Sequence, residues 1–102
     1  MRVIVIDPKK RTITEQQVEQ HHQAFQKIVG GMVERLRFSE CWCGVNETER
    51  NPETHAWRWI DPKRGRTRPL NGRAFLCNNS GDREADCTLT LETVKERVKW
   101  EQ

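Results

Sequence analysis

The stretch Trp57-Arg58-Trp59-Ile60-Asp61-Pro62-Lys63-Arg64-Gly65-Arg66-Thr67-Arg68 holds the residue types in this chain that most readily suggest chemistry. Indole faces can stack on bases while guanidinium groups contact phosphates, so alternating Trp and Arg is a pattern a nucleic-acid surface could use. Arg73 follows shortly after, and from Pro62 to Gly81 the chain carries five cations, Lys63, Arg64, Arg66, Arg68 and Arg73, and no acid. A second account competes with the first. Tryptophan in a small domain without tyrosine is also the natural filling of its core, which would leave the cations in a hydrated loop.

Other reactive side chains carry weaker patterns. Cys41, Cys43, Cys77 and Cys87, with three histidines, raise the question of zinc. The spacing argues against it, because Cys77 and Cys87 are ten apart rather than two to four, and small buried thiols explain them as well. His21 and His22 are adjacent, so on a helix they face different directions and cannot chelate together; the expectation is one at the core edge and one in solvent. Asp82, Glu84 and Asp86 lie in a turn-like stretch and read as solvated surface. No G-x-S-x-G, Walker A, G-x-G-x-x-G or H-E-x-x-H pattern occurs. The expectation is a chain that is not an enzyme and needs no cofactor, with Cys43 and His55 the residues an enzymatic reading would have to use.

The elements that must position these residues follow from periodicity. Val3-Ile4-Val5-Ile6 is a β-branched run without polar alternation, which suits a central strand covered on both faces. Thr14 with Gln17 resembles a capping box, and Val18, His22, Phe25, Ile28 and Val29 then fall near a helical period, predicting a helix over about residues 15–29 that ends at Gly30-Gly31. Ile13 could instead extend a hairpin with the first strand and delay the helix to about Glu19. Met32, Leu36 and Phe38 alternate with Val33, Arg35 and Arg37 as in a half-exposed strand, and residues 41–45 continue the sheet after a bend. Asn46 to Glu53 reads as loop, residues 56–60 and 74–77 as strands, and Asn78 to Asp82 as a turn from which Cys87-Thr88-Leu89 pairs back. Thr90 is an N-cap, with Leu91, Val94 and Val98 forming the apolar stripe of a helix over about 91–100. The expected fold is one α+β domain spanning 1–102, a mostly antiparallel sheet of four or five strands with two helices.

Composition bounds the rest. With 102 residues the chain has room for one ordinary core, and 34% hydrophobic against 32% charged residues makes that core thin under a charged surface. No apolar run is long enough to span a bilayer, and Asp7-Pro8 interrupts the first apolar run before a signal-peptide region could form, so a cytoplasmic, non-membrane protein with reduced thiols is expected. The net charge of +3 is modest, but its distribution is uneven: Ser39 to Thr54 carries Glu40, Glu47, Glu49 and Glu53 against Arg50 alone.

The succession of Arg2-Val3-Ile4-Val5-Ile6-Asp7-Pro8, the V-G-G end of Phe25 to Gly31, the V-N-E of Val45-Asn46-Glu47 and the L-N-x-x-A of Leu70 to Ala74 resembles a family of small bacterial and phage proteins known as a domain of unknown function. The resemblance spans most of the chain and departs from the family pattern by a longer Trp- and Arg-rich stretch between Asn46 and Asn71. It implies a compact α+β domain carried by phages, prophages and plasmids, with no reaction or catalytic residues to transfer. Residues and resemblance together lead to the expectation of an accessory protein of a phage or mobile element that binds a macromolecule through Trp57, Trp59, Lys63, Arg64, Arg66, Arg68 and Arg73. Nucleic acid is the first candidate partner; a host or phage protein, with the chain acting as an inhibitor or adaptor, is the second. Exposed edge strands also leave room for a homodimer.

Overall fold

The computed structural model describes residues 1–48 and 55–101, which form ten strands and two helices, so the chain is an α+β domain. The predicted polar loop of Asn46 to Glu53 falls outside the described residues from Glu49 onward.

The first strand, β1 (Arg2–Asp7), pairs antiparallel with β2 (Thr12–Gln17), Ile6 lying opposite Ile13. Asp7 shapes the turn between them by accepting bonds from the backbone N–H groups of Lys9 at 3.0 Å and Lys10 at 3.2 Å. This hairpin corrects the helix predicted to begin at residue 15. The β-branched run Thr12-Ile13-Thr14 pairs with β1, and that tertiary partner outweighs the helical spacing of Val18, His22 and Phe25. The helix α1 is confined to His22–Val29. His21 caps it, its Nδ1 accepting from the N–H of Ala24, and Gly30 closes it at φ 82° with its N–H bonded to the Gln26 carbonyl.

Past the helix, β3 (Val33–Arg37) and β4 (Trp42–Asn46) form a second hairpin, closed by the Phe38 N–H on the Cys41 carbonyl. The chain then runs through β5 (Ala56–Asp61), β6 (Gly65–Arg66), β7 (Leu70–Asn71), β8 (Ala74–Ser80), β9 (Arg83–Ala85), helix α2 (Leu91–Arg97) and β10 (Val98–Trp100). Six strands make one sheet in the order β2-β1-β8-β4-β3, with β9 on the far half of β8; β10, β5, β6 and β7 make a smaller one. Every pairing is antiparallel.

Two further boundaries differ from the sequence reading. The terminal helix stops at Arg97 rather than near residue 100, because Val98 and Trp100 alternate onto one face and pair with Trp59 and Trp57. The strand that pairs back on β8 is Arg83–Ala85, not residues 87–89; Cys87 instead bonds its N–H to the Arg2 carbonyl at 2.8 Å. Thr90 does cap α2, accepting from the N–H of Thr93.

The larger sheet is covered on both faces, which is why Val3 to Ile6 are all buried. One face, with Val3, Val5, Phe75 and Cys77, packs under Phe25 and Val29 of α1. The other, with Ile4, Ile6, Cys43, Val45, Ala74 and Leu76, packs against Trp57, Trp59 and Leu70 of the smaller sheet and Val94 of α2. The middle of the first layer is tight. A Cβ on Gly44 would sit 2.2 Å from the Phe75 ring, which itself stacks on Phe25 at 4.9 Å.

Candidate functional site

Trp57 and Trp59 are both 0% exposed. Two apart on β5, they point together into the core, and Phe38 stacks on Trp59 at 4.8 Å with 14° between the rings. This corrects the expectation that they stack on an outside ligand: a thin core draws in the large apolar area of two indoles, even though neither indole N–H has a hydrogen-bond partner among the described residues. Trp42 and Trp100 are partly buried and pack against the cores on opposite faces of the larger sheet, so among the described residues they share no outer patch.

The cations behave differently. Between β3 and the segment 64–70 lies a groove of about 280 Å³ whose lining includes Arg37, Arg64, Arg66 and Arg68, with Leu36, Phe38 and Leu70 among its apolar residues. All four arginines are exposed. Arg2, Arg35, Arg58 and Arg97 are held by Glu15, Glu84, Glu101 and Glu40, whereas Arg37, Arg64, Arg66 and Arg68 enter no ion pair among the described residues. Lys63 and Arg73 are exposed but lie outside the groove lining, and Arg37, which sequence reasoning placed only on a solvent face, lies inside it. The alternation of residues 33–37 could have signalled Arg37; nothing in the sequence distinguished it from Arg35, whose charge Glu84 takes.

Asp61 fixes one end of this groove. It is 4% exposed, and its carboxylate accepts from the Ser39 N–H at 2.8 Å, the Ser39 hydroxyl at 2.6 Å, and the N–H groups of Lys63 at 2.9 Å and Arg64 at 3.1 Å. Burial acts to raise its pKa, but the bonds from Ser39, Lys63 and Arg64 override it and hold the carboxyl at about 2. The β5–β6 turn is thereby tied to the β3–β4 connection, and Arg64 adds a bond from its guanidinium to the Arg37 carbonyl at 3.0 Å.

A bulge shapes the other wall. Arg66 lies opposite Ile60 and Gly65 opposite Asp61, but Leu70 lies opposite Trp57 and Asn71 opposite Ala56, so the register slips by one residue across Arg68-Pro69. Thr67 still bonds its N–H to the Trp59 carbonyl at 3.0 Å. Pro69 has no N–H to give the ladder, which explains where the slip falls. Beyond it a second cavity of about 140 Å³, lined by Glu34, Asn46 and Asn71 among others, shares Leu36, Arg68 and Leu70 with the groove.

The remaining reactive residues do not assemble. Cys41, Cys43 and Cys87 belong to the core on one face of the larger sheet and Cys77 to the core on the other, and all four are free and buried. Burial, then neighbouring thiols, pushes Cys41 and Cys43 well up; burial first raises Cys77, to about 11, and Cys87. Protonated and sealed, Cys43 is no nucleophile for His55, which is exposed. No three His, Cys, Asp or Glu side chains converge on a common point among the described residues. His21 and His22 are both exposed, which corrects the expectation that one sits at the core edge: the first is spent on the cap and the second stands on the rim of a cleft. Glu84 and Asp86 are likewise engaged, with Arg35 and the Arg2 N–H.

Fold and groove together define a small α+β domain in which two antiparallel sheets meet along an arginine-lined seam. The chain belongs to the family described as a domain of unknown function (DUF3846), whose model matches residues 1–100. None of the curated proteins and none of the solved structures compared matches it. No helix of the described residues is long and apolar enough to cross a membrane.

Proposed function

We propose that this protein is a non-enzymatic accessory factor of a phage or mobile element, acting in the cytoplasm by binding nucleic acid through its phosphate backbone. The observation that carries the reading is the arrangement of Arg37, Arg64, Arg66 and Arg68 around one groove, without a carboxylate partner among the described residues. Guanidinium groups match phosphate geometry through paired N–H donors, and arginines gathered in a concavity attract a polyanion more strongly than the same number scattered over a surface. Among the described residues Asp61 is the one acid in the lining, and its oxygens are occupied by Ser39 and the turn backbone. Fluorescence anisotropy with a labelled oligonucleotide tests the reading. Double substitution Arg66→Glu with Arg68→Glu, both at exposed positions, should weaken binding by about 100-fold or more while leaving the melting temperature nearly unchanged, as expected for two removed and reversed phosphate contacts. Unaltered affinity would overturn the reading.

A protein partner is the second reading, and one observation favours it. Met32, 57% exposed, stands on the rim of a cleft of about 350 Å³ that includes Phe25, Val33 and Phe75 and is crossed by the Arg35–Glu84 pair. An exposed methionine beside aromatic side chains is a common adaptable contact. Met32→Glu should abolish such an interaction and spare oligonucleotide binding.

A further inference from the structure

The groove is recessed, and that bears on which form of nucleic acid it takes. Proteins that read a duplex push a protruding element, a helix or a two-stranded ribbon, into one of its grooves. Neither helix here offers a row of cations: α1 carries only Lys27 as a fixed cation, and α2 presents only Lys95, since its Arg97 is bound to Glu40. The β5–β6 hairpin does carry cations, but Asp61 pins its turn to Ser39 and Arg64 folds back onto the Arg37 carbonyl, so the hairpin lies against the larger sheet instead of projecting as a ribbon. The arginines therefore wall a concavity, and a concavity accepts a narrow ligand.

Its floor has a second property. Leu36 is half-buried, and Phe38 and Leu70, each 6% exposed, add only their margins to a narrow apolar strip between the guanidinium groups. A duplex hides its base faces and would leave that strip empty, whereas an unpaired strand can lay a base on it while its phosphates stay at the walls. At 280 Å³ the groove is just below the range of roughly 300–1,000 Å³ that holds compact ligands, enough for one flat ring. The neighbouring cavity, which Glu34 also lines, continues the track past Arg68 to Asn71, whose amide can meet a base edge; the Asn46 amide beside it is taken up by the Val29 carbonyl and by Thr48. From Gly65 to Asn71 the wall lies opposite Asp61 to Ala56 and, the bulge included, spans roughly 17 Å at about 3.3 Å per residue of β5, longer than one nucleotide needs.

Resting on the reading above, we infer that the seam between the two sheets is a single-strand site: phosphates on Arg37, Arg64, Arg66 and Arg68, and a splayed base over Leu36 at the margins of Phe38 and Leu70. The test uses the full chain and three fluorescein-labelled probes of about 15 nucleotides: oligothymidine, a duplex of the same length, and an abasic strand. Oligothymidine should bind about tenfold or more tighter than the duplex, and the abasic strand should lose a similar factor. Duplex binding as tight as the single strand would overturn the inference and leave backbone recognition standing; so would an abasic strand binding as well as oligothymidine. Failure of all three probes to bind would remove the underlying reading as well. Arg37→Ala, at an exposed position outside the Arg-rich stretch, serves as the locating variant: the inference requires a loss for oligothymidine of about fivefold, and an unchanged affinity counts against the seam.

Discussion

At the scale of single residues, Asp61 and Arg64 show how a surface groove can be as well determined as a core. Four donors converge on the Asp61 carboxylate, and its carboxyl is held at about 2 against an ordinary 3.8. A depressed pKa means that folding favours the charged form, so this contribution is complete above pH 3.8 and is lost as pH falls through about 2. Urea unfolding of the wild type and of Asp61→Ala should therefore differ by about 2 kcal/mol near neutral pH, where the orphaned donors of the variant are felt, and converge toward about pH 2. The tryptophans make the complementary case. With Trp57 and Trp59 fully buried and Trp42 and Trp100 partly so, native fluorescence should be blue-shifted and about as weakly quenched by iodide as other buried indoles, rising only on unfolding. Strong quenching in the native state would return the indoles to the surface and reopen the stacking reading.

At the scale of elements, the legible parts of the sequence were those in which local pattern and tertiary partner agree. Val3 to Ile6 is unambiguous because a strand buried on both faces needs no alternation, and Gly30, by its positive φ, and Thr90, by its capping hydroxyl, mark helix ends by local chemistry. Residues 12–17 and 98–100 misled for the opposite reason: Thr14 with Gln17 imitates a cap, and Val98 continues a helical stripe, but each segment faces an open strand edge that claims it. The Arg68-Pro69 bulge was equally hidden, since it depends on the register of two distant pairs. Two substitutions check the element account by chemical denaturation. Thr90→Ala should cost about 1 kcal/mol by removing the α2 cap. Gly44→Ala should cost about 2 kcal/mol or more, because the added methyl meets the buried Phe75 ring and the neighbouring strands must shift.

At the scale of the whole molecule, the proposed site lies where two sheets meet rather than in either. The Arg-rich stretch was visible in the sequence, but the sequence could not show that three of its five cations turn toward Arg37 while Lys63 and Arg73 lie outside the groove lining, nor that the interleaved tryptophans turn the other way. Charge selection of this kind is a tertiary property, set by the Asp61 pin and the Pro69 slip acting from opposite ends. The most direct measurement is the salt dependence of oligothymidine binding, wild type against Arg66→Ala, across about 50 to 200 mM salt. Each phosphate contact to a single strand contributes about 0.7 to the slope of log K against log salt. The four-arginine groove predicts a wild-type slope of about 3 in magnitude and a decrease of about 0.7 in the variant. A salt-independent affinity, or identical slopes for the two proteins, would contradict it.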